Sequence, residues 1–203
     1  MRFHQFVQEQ GGWKMHSREV VYSNPFLEIQ QVFCSSPARP EPFVWTVCHR
    51  KAGVAVAAQT PDGGFVMIRQ ERVPVCSELW EFPAGQIDEA MGHDDAAVVA
   101  TGLRELREES GYELAPGGEI TPMQYFMSSP GYADEHTYLL WVRGVVPSLD
   151  GAKPDTAESI SEARVFSGEE VRRMVATGEV RDANTLCCLA KLSALGVWGA
   201  ANI

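Results

Sequence analysis

Basic residues are the scarce class in this 203-residue chain: 17 Lys and Arg stand against 27 Asp and Glu, a formal net charge of −10. That balance repels a nucleic-acid backbone or an anionic membrane surface unless a basic patch intervenes, and the sequence contains no such patch. Cysteines are few and poorly spaced. Cys34, Cys48, Cys76, Cys187 and Cys188 form an odd set without CxxC, which argues against a disulfide framework and against a thiolate zinc site. No apolar run approaches the roughly 20 residues of a membrane-spanning helix. The start, Met1-Arg2-Phe3-His4-Gln5-Phe6, leads into polar Gln8-Glu9-Gln10 and not into the apolar stretch of a secretory signal. The reducing cytoplasm is the expected compartment. Internal repeats and low-complexity tracts are also missing. What remains, 45% hydrophobic and 22% charged residues, suits one ordinary domain with a small appendage.

Residues 18 to 34 alternate loosely with β-formers, and Phe43-Val44-Trp45-Thr46-Val47 continues that character; Ser35-Ser36-Pro37-Ala38-Arg39-Pro40-Glu41-Pro42 between them is rich in turn formers. A small antiparallel N-terminal sheet is expected. Asp62-Gly63 between the apolar runs 54–58 and 65–69 signals a hairpin that begins a core sheet. Ala96, Val99, Leu103 and Leu106 recur at helical spacing, predicting a helix over 94–109 capped by Asp94 or Asp95 and ended by Gly111. Further strands are expected at 123–127, 137–142 and 163–166. A mobile loop is expected from Ser148 to Glu158, and helices near 168–176 and 183–195.

The segment Arg104-Glu105-Leu106-Arg107-Glu108-Glu109-Ser110-Gly111 concentrates carboxylates on the helix. At about 100° per residue, Glu105 and Glu109 lie roughly 40° apart and Glu108 roughly 60° to the other side of Glu105. The three share one face, while Val99, Leu103 and Leu106 form another. Crowded carboxylates raise one another's pKa, and a hard cation such as Mg²⁺ compensates them. The same pattern also occurs on ordinary solvated helices, with Arg104 and Glu108 as an i,i+4 pair.

The wider spacing resembles the Nudix hydrolases, whose box runs Gly-x5-Glu-x7-Arg-Glu-(apolar)-x-Glu-Glu-x-Gly-(apolar). Arg104, Glu105, Leu106, Glu108, Glu109, Gly111 and Tyr112 match its second half. Gly85 precedes Arg104 by 19 positions where the pattern has 14, so five residues are inserted, within Glu89 to Asp95. Met91 stands where the box has its first glutamate, with Glu89, Asp94 and Asp95 as substitutes. Arg69-Gln70-Glu71-Arg72, Glu78-Leu79-Trp80-Glu81-Phe82-Pro83-Ala84-Gly85 and the Pro-bearing loop Ser129-Pro130-Gly131-Tyr132-Ala133-Asp134-Glu135 are similar to the ADP-ribose pyrophosphatase subgroup.

That resemblance implies an α+β Nudix fold, an α/β/α sandwich around a mixed sheet, in residues 51–203. Residues 1–50 then form the N-terminal sheet used for dimerisation and base binding. It implies Mg²⁺, with Mn²⁺ as a substitute, held by Glu105, Glu108, Glu109 and the carbonyl of Ala84, with Glu108 sharing or bridging. Glu158 or Glu162 would position the attacking water, with Glu135 a third candidate. Phe26 and Trp45 would stack on the base, unless they only fill the small sheet's core. Arg50 and Arg72, with Pro130 and Glu135, would contact phosphate or ribose, unless the arginines are surface ion-pair partners. The implied activity is hydrolysis of the diphosphate of ADP-ribose or a related nucleoside diphosphate sugar to AMP and a sugar phosphate by a homodimer. GDP-mannose or UDP-glucose hydrolysis, or ADP-ribose binding without turnover, are the rival readings.

Overall fold

Before residue 50 the β-forming stretches assemble into three antiparallel strands, β1 (Lys14–Ser23), β2 (Glu28–Ser36) and β3 (Arg39–His49), in the order β1-β2-β3. The computed structural model describes residues 11–87, 94–154 and 158–198. Asn24 makes the first turn, its Oδ1 accepting from the N–H groups of Phe26 (2.8 Å) and Leu27 (3.0 Å). Of the 35–42 stretch rich in turn formers, only Pro37-Ala38 lies between strands, because β2 runs to Ser36 and β3 begins at Arg39 and carries Pro40 and Pro42. Proline is tolerated there because β3 lies at the edge of this sheet, with β2 on one side of its Pro40–Pro42 end.

The second sheet has seven strands: β4 (Gly53–Gln59), β5 (Phe65–Arg72), β6 (Ser77–Glu81), β7 (Ala84–Gln86), β8 (Tyr112–Met127), β9 (His136–Pro147) and β10 (Ile160–Phe166). Its path is β10-β5-β4-β9-β8, with β6 on β5 and β7 on β4. Among the described residues β4 and β9 are its one parallel pair of strands, so the sheet is mixed. The 54–69 hairpin forms, yet β4 and β5 pair only at Ala58↔Val66 and Gln59↔Phe65 before they diverge. Into that fork β4 takes β7, with Gly53↔Gln86, Val54↔Gly85 and Ala55↔Ala84. A further bond, Val56 N–H to Pro83 O at 2.9 Å, extends the pairing. The fork thus lays Pro83–Gln86 along the sheet beside the carboxylate helix.

That helix is α1 (Asp95–Ser110), capped by Asp94 through Ala97 N–H (2.8 Å) and closed by Gly111 in the left-handed region. It covers one sheet face through Val98 and Leu106 against Val54, Val56, Tyr138 and Leu140. Gly102 lets it approach closely, since a Cβ there would lie 2.6 Å from Leu140 Cδ1. Helices α2 (Gly168–Thr177) and α3 (Ala183–Ala194) bury Val171, Met174, Leu189 and Leu192 on the other face, against Ala55, Ala57, Met67 and Leu139. The α/β/α sandwich with a mixed sheet and a small N-terminal antiparallel sheet is therefore the architecture. Strand β8 begins eleven residues before the expected 123, broken by register shifts at Leu114/Glu119 and Pro122/Tyr125. The loop expected over 148–158 is tied down at its start, with Ser148 N–H to Gly111 O (2.7 Å) and Lys153 N–H to Glu108 O (2.8 Å), and its residues 155–157 lie outside the described residues. Residues 88–93, most of the inserted segment, lie outside the described residues.

Candidate active site

Helix α1 does not keep its carboxylates on a face apart from the core, as the helical wheel predicts. Glu105 and Glu109 are buried, at 5% and 1% exposure, beside fully buried Leu106, whereas the Glu108 side chain is 40% exposed. They turn inward because β7 offers them a polar floor. Ala84 N–H donates to Glu109 Oε2 at 2.8 Å. At Gly85 an added Cβ would lie 2.0 Å from Glu105 Oε1, so the missing side chain is the space the carboxylate occupies. Glu158, just before β10, completes a trio whose carboxylate oxygens lie within 4.8 Å of one another. Its neighbour Ser159 is held on the sheet, its O accepting from Glu71 N–H at 2.9 Å.

Burial pushes the Glu109 carboxyl up to about 9, with Glu105 and Glu158 adding repulsion and the Ala84 N–H and Arg72 opposing it. Glu105 is raised for the same leading reason, burial, against the attraction of Arg104. Among the described residues Glu109 Oε1 is buried without a hydrogen-bond partner, a costly state for a polar atom. An all-oxygen set with an unsatisfied inward oxygen suits a hard divalent cation such as Mg²⁺ or Mn²⁺. Arg104 bridges the rim, donating from Nη2 to Glu105 Oε1 and from Nη1 to Glu108 Oε2, both at 2.5 Å. Glu108 thus lies at the rim with Arg104, outside the converging trio.

A pH dependence follows. Because the folded-state pKa of Glu109 lies above its ordinary 4.5, the folded chain keeps a proton that the unfolded chain has released. Between about pH 4.5 and about 9, raising the pH removes stability from the metal-free protein, and a bound cation restores it. The gap in Tm between Mg²⁺ and EDTA samples should widen from about pH 6 to about pH 8. A constant gap would contradict the cation assignment.

The remaining sequence candidates fall around this centre unequally. Arg72 comes to its edge, near enough for its charge to oppose the rise of Glu109. Glu162 lies on exposed strand β10 opposite Arg69, outside the trio. Arg50 Nη1 pairs with Glu135 at 2.9 Å, and Ser128 Oγ donates to the other Glu135 oxygen at 2.8 Å. The loop holding exposed Pro130 is stitched to β3 by Cys48 N–H to Tyr132 O (2.7 Å) and Asp134 N–H to Cys48 O (3.3 Å). Phe26 and Trp45 are exposed at 65% and 44%, so they do not fill a core. Trp45 Nε1–H reaches Gly131 O at 3.3 Å, linking the sheet to the same loop.

Two groups were not singled out from the sequence. Glu81, flanked by Trp80 and Phe82, is 1% exposed and grips Arg72. Asp134 accepts from Arg50 N–H at 3.2 Å and pairs with His49 Nδ1 at 2.6 Å. A lone acid between aromatics in a strand was the available signal for the first.

The sequence model of the NUDIX domain matches residues 49–187, more than half of the chain. The chain belongs to the Nudix family. It is similar to an ADP-ribose pyrophosphatase of Bacillus subtilis (strain 168), 32% identical over 134 residues, 65% of this chain and 66% of the relative. The methanol dehydrogenase activator of Bacillus methanolicus is 33% identical over 114 residues, 56% of this chain and 57% of the relative. This Nudix chain thus spans about two thirds or less of the curated relatives it matches. In fold it is similar to a solved structure described as an ADP compounds hydrolase, with a TM-score of 0.72 at 17% identity, covering 94% of this chain and 100% of that one.

Proposed function

We propose that this Nudix protein hydrolyses the diphosphate of ADP-ribose or a related nucleoside diphosphate sugar, releasing AMP and a sugar phosphate. The observation that carries this reading is the convergence of Glu105, Glu109 and Glu158 on the Ala84–Gly85 floor, with one buried Glu109 oxygen lacking a partner. Glu105 and Glu109 would hold Mg²⁺ or Mn²⁺ with the Ala84 carbonyl, and Glu108 would share from the rim. Bound there, the cation supplies charge neutralisation at the phosphate oxygens and a lowered pKa for water. Glu158 then accepts a proton from, and orients, the attacking water in preference to exposed Glu162. Arg72 meets the phosphates; Arg50, Glu135 and Pro130 flank the ribose side.

Phe26 and Trp45 take the base. A cleft of about 190 Å³, with Phe26, Glu28, His49 and Lys51 among its walls, adjoins the first of them. Stacking acts far from the reacting phosphorus and contributes about equally in ground and transition states. Trp45→Ala should therefore raise KM roughly 5- to 150-fold, the equivalent of about 1 to 3 kcal/mol, with a smaller change in kcat. Because Trp45 is exposed, its folding cost should stay near about 0.5 kcal/mol. An unchanged KM in that variant removes Trp45 from the site.

A second copy of the chain is the fitting occupant of the N-terminal sheet, where Trp13, Val20, Val21, Tyr22 and Val44 are exposed and a three-stranded sheet gains by burial. Residues 1–50 would then serve dimerisation and base binding, with residues 51–203 as the hydrolase proper. Light scattering at micromolar concentration should give a dimer, and a monomer would contradict it. The five unpaired cysteines suit a reducing compartment, and no helix among the described residues is long and apolar enough to cross a membrane. The deciding experiment incubates the protein with ADP-ribose, GDP-mannose and UDP-glucose in Mg²⁺ and detects AMP, GMP or UMP. AMP as the main product supports the reading. No turnover of any of the three overturns it.

A further inference from the structure

We propose that Glu81 is a positioning residue that fixes Arg72 as an anion seat beside the carboxylate trio, an inference that rests on the diphosphate-hydrolase reading above. Arg72 ends β5 opposite Ser77, and Glu81 ends β6 opposite Ile68; the long Arg72 side chain reaches back along the strand pair to meet Glu81. Arg72 Nε–H donates to both Glu81 oxygens, at 2.9 and 3.2 Å, and Nη2–H to Oε2 at 2.5 Å. Glu81 is 1% exposed while the Arg72 side chain remains 38% exposed. The pair is therefore asymmetric: the carboxylate is buried, and the guanidinium is held by one edge with its rest toward solvent.

Two independent features make this more than a structural ion pair. The engaged edge uses Nε and Nη2, and among the described residues Nη1 makes no hydrogen bond. A guanidinium keeps its remaining N–H groups as a flat fork suited to two phosphate oxygens. In addition, Glu81 stands three residues before Ala84, whose N–H donates to Glu109 Oε2 at 2.8 Å, so an anion on the open edge of Arg72 would sit beside the carboxylates. The floor beneath Glu81 is also braced. Phe82 N–H donates to Thr185 Oγ1 at 2.8 Å, and Thr185 Oγ1 donates to Asp182, the α3 cap, at 3.0 Å. Glu81 therefore costs burial energy at a position where its visible product is the orientation of one arginine.

The test compares wild type, Glu81→Gln, Arg72→Ala, Arg72→Lys and the Glu81→Gln/Arg72→Ala double variant. Calorimetric binding of inorganic pyrophosphate in Mg²⁺ is measured beside kcat and KM for ADP-ribose, with circular dichroism as the check of folding. Losing oriented charge-assisted bonds should weaken pyrophosphate binding roughly 10- to 100-fold in Arg72→Ala. Glu81→Gln should lose about as much, and the double variant should lose no more than Arg72→Ala alone. Arg72→Lys keeps the charge but not the fork, and should resemble Arg72→Ala. If Glu81→Gln folds and binds pyrophosphate as wild type does, or if the losses add, the proposal is overturned. Should Glu81→Gln fail to fold, wild-type binding by Arg72→Lys overturns it alone. Wild type that turns over no nucleoside diphosphate sugar, yet shows this binding pattern, would sink the hydrolase reading and leave the seat standing.

Discussion

Glu109→Gln should lower Mg²⁺-dependent turnover by more than about 100-fold, since groups that merely support metal ligands already cost about 10- to 100-fold when removed. The same variant should melt no lower than wild type in EDTA. An amide oxygen can still accept the Ala84 N–H, and a side chain that is neutral in folded and unfolded chain alike removes the cost of taking up a proton on burial, which the rise of the carboxyl to about 9 reflects. Activity and metal-free stability are therefore expected to move in opposite directions. The Tm increase on adding Mg²⁺ should shrink in parallel, because stabilisation by linkage follows affinity. Kinetics and melting curves with and without EDTA check this. Wild-type turnover in Glu109→Gln would remove the carboxylate trio from the chemistry.

Gly85→Ala should be nearly as damaging to turnover, for a steric reason. The new methyl carbon would fall 2.0 Å from Glu105 Oε1 and 2.1 Å from its Cδ, distances no packed structure accepts. The carboxylate is the far end of a flexible side chain and can swing away, so the fold survives at an overpacking cost of about 1 to 3 kcal/mol. The trio does not survive. A folded variant with turnover reduced more than about 100-fold is expected, and chemical-denaturant midpoints measured beside kcat separate the two effects. Full activity would show that Glu105 need not occupy the space above Gly85.

The parts of this site that were legible in the sequence are those a helix makes local. Arg104, Glu105, Glu108, Glu109 and Gly111 stand at fixed angles along one element, so their spacing is itself geometry. Even there the wheel misjudged the faces, because it could not foresee a polar floor that rewards burying Glu105 and Glu109. Strand β7 is three residues containing a glycine, too short to show an alternation. The Glu81 grip on Arg72 depends on the register of β5 with β6, and strand pairing leaves no mark in either strand alone. Glu158 is one of three candidates with Glu162 and Glu135, and its convergence with Glu105 and Glu109 beside the Ser159 bond to the β5 backbone, against the exposed place of Glu162 opposite Arg69, is set by strand pairing that the sequence does not display. In the N-terminal sheet, Pro40 and Pro42 read as turn because sequence pattern does not reveal which strand is the edge.

The direction of α1 carries one more consequence. Glu105 and Glu109 occupy its last two turns, so the peptide dipoles of the helix present their negative end where the carboxylates already crowd. The helix field thus works against its own acids and in favour of any cation among them. Before that cation arrives, a diphosphate approaching this wall meets fixed repulsion from side chains and backbone alike, which Arg72 and Arg104 offset in part. Order of arrival is built into the electrostatics: substrate is expected to enter with its cation or after it, and an uncomplexed diphosphate at low Mg²⁺ should compete poorly for the site.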